Sequence, residues 1–240
     1  MVKGKKTNQL PPYMGIFSNL IYENKIISGI FDDSRIVRLR SLGLQKKIVS
    51  ELLRDISKNA HVLQIGLVFG DEILRVYDKV KKQGKLDIFD VSDTQIALAK
   101  EKYARKNIEI SNYNAAVEWD EKYDVVICYN LLHELPLKTR QKVMDNVLTS
   151  LAMGGKAIFV DYAKPVWWQL FRWPLWVFNR LYQPFAESLW QKPLEKFCSK
   201  KDDYRWQHSY FGGGLWQKTI AVRKILSNED VRKLTALFRK

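Results

Sequence analysis

Three groups of residues in this chain have the types and spacing to do chemistry. The stretch Gln64-Ile-Gly-Leu-Val-Phe-Gly70 places Gly66 and Gly70 around Val68, and glycines let a backbone turn sharply and approach a ligand closely. Asp90 follows the loop at about twenty residues, the distance at which a carboxylate meets both hydroxyls of a ribose. Together the loop and the acid suit an adenosine-containing cofactor. His133 is the best-placed general base, because imidazole titrates near neutrality. Asp161 and Tyr162 offer oxygens that could ligate a hard metal or hold a substrate carbonyl, and Glu134 is a lesser candidate. No spacing forms a recognisable metal motif, so the ligand set stays open. Each feature also has a plain reading: a tight turn, a helix-entry charge, or a histidine bonded beside Pro136.

These residues fall where strands would end. The apolar run His61–Ile65 stops at Gly66, and Asp71–Val80 then has helical spacing. Lys85–Phe89 is a second strand ending on Asp90. Ser92-Asp-Thr-Gln95 is a capping box that opens a helix carrying Ile96, Ala99 and Tyr103. Ile108–Ile110 is a third strand candidate. Tyr123–Tyr129 is a fourth, with an apolar centre expected of a strand buried on both faces. A helix from Leu137 to Leu151 enters through Pro136 and stops at Gly154–Gly155, and Lys156–Asp161 is the fifth strand. Strands alternating with helices imply a parallel sheet wound by right-handed crossovers, with ligands outside the carboxyl ends of its strands.

The flanks read differently. Residues 1–30 form an irregular or weakly helical lead-in, and Asp33–Ser57 has amphipathic helical spacing that Gly43 interrupts. Tyr162–Gln191 is crowded with aromatics, including Trp167, Trp168, Trp173, Trp176 and Trp190. Pro165, Pro174 and Pro184 cut that stretch into short pieces. Such a segment suits a cap over a site, a contact with a membrane interface, or an ordinary hydrophobic cover. Leu215–Arg223 is a closing strand after the glycine run Gly212–Gly214, and Ser227 opens a last helix through Phe238.

Composition bounds the partners. The 240 residues carry 40 Lys and Arg against 26 Asp and Glu, a net charge of +14 that attracts nucleic acid, anionic lipid or phosphorylated ligands. The segment from Met1 to Gln9 reads as neither a secretory signal nor a spanning anchor. Cys128 and Cys198 form no CxxC pattern and read as packed thiols in a reducing compartment.

Over Ala60–Asp161 the chain resembles the class I S-adenosylmethionine-dependent methyltransferases, which pair a glycine-rich loop after the first strand with an acid at the end of the second. The resemblance implies an α/β fold: a doubly wound, mainly parallel, seven-stranded sheet with an aromatic-rich cap. It divides the chain into a helical lead-in or lid (1–58), a cofactor-binding core (59–162), an aromatic cap (163–210), and a closing strand and helix (211–240). It implies that Gln64, Gly66, Val68, Gly70, Asp90, Val91, Asn114, Ala115 and Asn130 line the cofactor. The pattern departs from that family at three positions. Gln64 stands where the family has an acid, Val68 where it has the central glycine, and Asn114 where it has Asp.

Four strings narrow the resemblance: Val62-Leu-Gln-Ile-Gly-Leu-Val-Phe-Gly-Asp71, Leu131-Leu-His-Glu-Leu-Pro136, Val160-Asp-Tyr162 and Phe211-Gly-Gly-Gly-Leu-Trp-Gln-Lys218. These are similar to the rhodoquinone biosynthesis proteins. That resemblance implies amino transfer from S-adenosylmethionine to ubiquinone, an amine replacing a methoxy group, with help from a divalent metal such as manganese. His133, Asp161 and Tyr162 are then the expected catalytic residues. Gln64 fits this chemistry physically, since a neutral side chain leaves the cofactor's ammonium less stabilised and easier to deprotonate. The implied partner is a quinone in an anionic membrane. Contact would be peripheral, at the cytoplasmic face of the inner membrane, or at the mitochondrial inner membrane in a eukaryote. Nucleic acid is not expected. The rival readings are a conventional methyltransferase acting on a quinone or lipid, a nucleic-acid methyltransferase, and a catalytically dead binding protein.

Overall fold

A computed structural model describes residues 11, 13, 16–80, 83–164 and 185–224. The Trp-rich stretch from Pro165 to Pro184 and the helix expected from Ser227 lie outside the described residues. Seven strands form one sheet: β1 (His61–Ile65), β2 (Lys85–Asp90), β3 (Ile108–Asn112), β4 (Tyr123–Tyr129), β5 (Leu151–Tyr162), β6 (Tyr204–Phe211) and β7 (Trp216–Arg223). Their order is β3-β2-β1-β4-β5-β7-β6, parallel from β3 through β5, with β7 antiparallel to both β5 and β6. β1 pairs with β2 on one side and β4 on the other, so successive crossovers diverge there and leave a crevice at the carboxyl ends.

Helices cover both faces. α4 (Gln45–Leu53), α5 (Glu72–Val80) and α6 (Asp93–Lys102) pack one face through Ile48, Leu52, Ile73, Val76 and Ile96, against Val62 and Ile88. α7 (Leu137–Thr149) packs the other through Val143, Met144 and Val147, against Leu63, Val126 and Phe159. The alternation along β1 sends Val62 and Gln64 toward the first face and Leu63 and Ile65 toward the second. The Ser92 hydroxyl accepts from the Gln95 amide at 3.0 Å, as the capping pattern requires. Both cysteines are free and buried.

Three elements differ from the sequence-based expectation. β5 begins at Leu151, and Gly154 and Gly155 lie inside it rather than ending a helix. Parallel pairing with β4 slips between Tyr123 and Val125, and a Cβ at Gly155 would lie 2.9 Å from the carbonyls of Ala152 and Tyr123. The glycines therefore serve a close approach of strands. β6 carries no clear apolar pattern because, at the edge of the sheet, only Tyr204 and Phe211 at its ends are buried. It falls within the stretch expected to be cap. The lead-in is more regular than its sequence suggests: α1 (Ile16–Glu23) and α2 (Lys25–Asp32) precede α3 (Ser34–Arg40). The break before α4 falls at Leu42 and Gly43, both with positive φ. A short helix α8 (Ala186–Leu189) and two single-turn helices (Leu194–Phe197 and Lys201–Asp203) lead into β6.

Gly84 links α5 to β2, and a Cβ there would collide with the Ala60 carbonyl oxygen. Gly84→Ala should destabilise the protein by about 1–3 kcal/mol, the ordinary range for overpacking. Urea unfolding should show the midpoint falling at constant slope, and an unchanged midpoint would contradict this contact.

Candidate cofactor and catalytic site

At the end of β1 the chain turns through Gly66 and Gly70, at φ 87° and 103°, values that a residue with a Cβ rarely adopts. The Gly66 amide donates to the Phe89 carbonyl at 2.8 Å, which ties the loop to β2. Asp90 completes the turn: its carboxylate accepts from the Leu67 amide at 2.7 Å and the Ser92 amide at 2.8 Å. Burial pushes its carboxyl up to about 6, although these amides pull the other way. A carboxylate has about four lone-pair sites, so acceptor capacity for two hydroxyls remains. Val68 and Val91 border this turn, each partly buried.

The remaining expected contacts lie along the same edge. Asn114 uses its side-chain oxygen to accept from the Ala116 amide at 2.9 Å, a local turn, and the Ala115 carbonyl accepts from Asn146 on α7 at 2.9 Å. This pair is therefore fixed in place just beyond β3. Asn130 follows β4 at φ 56°, a left-handed conformation that asparagine tolerates, with its amide bonded to Val160 at 2.8 Å. Its side-chain Oδ1 is buried and has no partner.

The catalytic candidates meet where β4 and β5 end. His133 lies on a single turn of 3-10 helix (Leu132–Glu134), and its Nδ1 is 2.7 Å from Asp161 Oδ1. Asp161 also accepts from the His133 amide at 3.2 Å and the Tyr162 amide at 2.7 Å. In the neutral imidazole, the tautomer that donates from Nδ1 to this carboxylate leaves a lone pair on Nε2. That Nε2 has no hydrogen-bond partner and lies 3.9 Å from Glu134 Oε1. Burial alone would depress the imidazolium, but the charge and hydrogen bond of Asp161 outweigh it and hold His133 above its ordinary range. Glu134 adds to that rise and Arg140 opposes it. The Tyr162 ring meets the imidazole at 5.0 Å between centroids, edge to face.

Arg140 was not singled out from sequence, yet it is fully buried and braces this turn. Its guanidinium donates to the carbonyls of Leu132 and Leu135, which flank His133, and to Phe185, which precedes α8. The lead-in helices close over the same edge. The Tyr22 hydroxyl donates to Glu134 at 2.8 Å, Ser92 and Thr94 donate to Glu23, and the Gly70 amide donates to Asp32 at 2.7 Å. Tyr22 also stacks on Phe69 of the glycine loop. These partners lie 38 to 112 residues apart in sequence, so no local pattern announces them.

Gln64 is fully buried beneath the loop, where it donates to Glu72 at 2.9 Å. Glu72 opens α5, is fully buried, and has its carboxyl pushed up to about 7 by that burial, the Gln64 hydrogen bond opposing. Sequence reasoning passed over it, since an acid in the first turn of a helix is ordinary.

The expected manganese finds no ligand set here. Asp161 is buried and accepts from His133 and the main chain, so it is placed to orient the imidazole. Among the described residues, the grouping of His61, Asp87 and Glu121 has ligand atoms within 4.8 Å of one another. It lies at the opposite edge, about the amino ends of β1 and β4, where Lys85 already pairs with Asp87 at 3.1 Å. Among the described residues, those at the candidate site form no such grouping.

Comparison with known proteins bears on the fold. Residues 63–157 match the family model described as a methyltransferase domain. The structure superposes on an O-methyltransferase family protein from Burkholderia thailandensis with a TM-score of 0.63 at 12% identity, covering 90% of this chain and 64% of that one. It superposes on N-methyltransferase NodS from Bradyrhizobium japonicum, solved with S-adenosylhomocysteine, with a TM-score of 0.53 at 14% identity, covering 82% and 91%. The fold is the class I methyltransferase fold. The expected seven-stranded, mainly parallel sheet is therefore present. This chain spans less than two thirds of the Burkholderia protein's length. A search of curated protein sequences finds no match.

Ionising Glu72 inside the fold has a stability consequence. Its folded pKa lies above the unfolded value near 4.5, so burial costs nothing below about pH 4.5 and its full amount above about pH 7. A shift of that size corresponds to about 3 kcal/mol. Glu72→Gln should therefore raise the melting temperature by several degrees at pH 8, with the gain shrinking toward zero near pH 4.5. Equal gains at both pH values would refute the assignment.

Proposed function

We propose that this protein is an S-adenosylmethionine-dependent transferase in which His133, oriented by Asp161, takes a proton from the acceptor. The observation that carries this reading is the buried His133–Asp161 pair, its Nε2 unpartnered, on the same sheet edge as the Gly66–Gly70 loop and Asp90. Asp90 would hold the ribose hydroxyls, Ala115 and Asn114 would lie beside the adenine, and Asn130 near the amino-acid end. When bound, the cofactor supplies an electrophilic methyl group. Proton removal makes a hydroxyl or amine a competent nucleophile toward such a group. The methyltransferase-domain match and the O- and N-methyltransferase neighbours support methyl transfer as the principal reading.

Amino transfer to ubiquinone, giving rhodoquinone, is the second reading. The four strings that are similar to the rhodoquinone biosynthesis proteins, with Gln64 in the place of the family's acid among them, favour it. The same base would then act at the transferred nitrogen. For either substrate we place the protein peripherally on an anionic bilayer. Ile26, Ile30 and Leu39 are exposed on α2 and α3 beside Arg35, Arg38 and Arg40, a pairing of apolar and basic side chains that suits such a surface. No helix among the described residues is long and apolar enough to cross a membrane.

The deciding experiment supplies S-adenosylmethionine carrying a nitrogen-15 amine and a carbon-13 methyl, with ubiquinone and hydroxylated quinone precursors as acceptors. Carbon-13 in the product is expected for the principal reading and nitrogen-15 for the second. If neither label moves while the donor is bound, the transferase reading fails. Whichever label moves, His133→Ala should cut kcat by about 10²–10⁴, the usual worth of a general base. Asp161→Asn should lower kcat and move the acidic limb of the pH profile to lower pH, because the carboxylate raises the imidazolium pKa. An unmoved limb would count against the pair.

A further inference from the structure

The buried polar groups around Gln64 are only partly satisfied by one another. Gln64 Oε1, Glu72 Oε1, Asn130 Oδ1 and Gln45 Nε2 are all shielded from solvent and have no partner. Gln64 and Asn130 stand at the carboxyl ends of β1 and β4, while Glu72 and Gln45 open the helices packed against that edge. Leaving such a group unpaired is costly, so four orphans at one edge point to a ligand that meets them. Three are acceptors and one is a donor. An ammonium offers three donors and a carboxylate only acceptors, so the set complements the zwitterionic head of an amino acid. Gly70 is packed so that a Cβ would lie 3.1 Å from Val37 and 3.4 Å from Gln45 Nε2, which keeps Gln45 pressed against the loop.

Charge is the missing piece on β1, and Glu72 brings it back. No cation appears among the groups that act on its carboxyl: Gln64 donates to it, and Asp71 repels it. The other titratable groups facing it are the Tyr129 hydroxyl from β4 and Tyr103 from the end of α6. The nearby Lys102 is paired with Asp32 and bonded to the Gly70 carbonyl. A buried carboxyl with no counter-charge is destabilising unless a cation arrives.

We infer that Glu72 supplies the carboxylate that the glycine loop lacks at Gln64, and that together with Gln64 it binds the α-ammonium of the cofactor. This rests on the S-adenosylmethionine reading of the site. It also revises the expectation that a neutral Gln64 leaves the ammonium without an opposing charge. The carboxylate is displaced by one step, from the strand to the helix behind it, and its ionisation falls in the neutral range. Cofactor affinity is then coupled to pH through the pocket rather than through the ligand, whose own amine stays protonated until about pH 8.

Calorimetric titration with two ligands tests this. S-adenosylhomocysteine carries the amino-acid head, whereas 5′-methylthioadenosine keeps the nucleoside and lacks it, so the second ligand controls for titration of Asp90. The wild type should bind S-adenosylhomocysteine about tenfold tighter at pH 8 than at pH 6, beyond any change seen with methylthioadenosine. Glu72→Gln should lose that excess pH dependence and bind S-adenosylhomocysteine at least tenfold more weakly at pH 8. Its affinity for methylthioadenosine should equal that of the wild type, which also shows that the variant is folded at the site. If Glu72→Gln binds S-adenosylhomocysteine as tightly as the wild type at pH 8, the inference is overturned while the cofactor reading stands. If the wild type binds neither ligand, the cofactor reading falls and takes the inference with it.

Discussion

Parallel pairing of β1 with both β2 and β4 requires each connection to cross back over the sheet, and the crossovers on the two sides of β1 leave in opposite directions. That divergence leaves the carboxyl ends of β1 and β4 uncovered by their own helices. The polar groups of this chain collect there because it is the one edge where strand ends, helix starts and loop amides converge. Gly66 and Gly70, Asp90, Asn130 and the His133–Asp161 pair all follow from that geometry.

What the fold exposes at this edge it then partly covers. α1 and α2 have no strands to join, and they are held by side chains that reach the elements of the candidate site: Glu23 to Ser92 and Thr94, Asp32 to the Gly70 amide, and Tyr22 to Glu134. From the other side, Arg140 draws the His133 turn toward the chain preceding α8. The site is thus roofed by elements far from it in sequence. Its acid and base groups sit in a low dielectric, where Asp161 can raise His133 and burial can raise Asp90 and Glu72. A fold optimised for stability alone would not retain Glu72 as an acid with so little to satisfy it.

The local periodicities of the sequence placed β1, β2, β4, the α5 and α6 helices and the closing strand within a residue or two. Each is an apolar run or capped repeat whose burial is dictated by its own pattern, as in Tyr123–Tyr129 or Ser92–Gln95. The resemblance added what periodicity does not carry, the full seven-stranded sheet. β6 stayed hidden because an edge strand with only its ends buried needs no apolar alternation. The start of β5 was misread because two glycines look like a helix stop until a neighbouring carbonyl is known to approach.

By itself the sequence determined the residue types at the strand ends and, through their spacing, that a nucleoside and a proton acceptor could meet there. Only the tertiary structure decided how those residues act. Asp161 lies against His133, Asn114 closes a turn, and the carboxyl nearest Gln64 lies eight residues on, inside α5. The physical reason is that role is set by partners and burial. For a buried carboxylate those come from elements that share an edge of the sheet and little else in sequence.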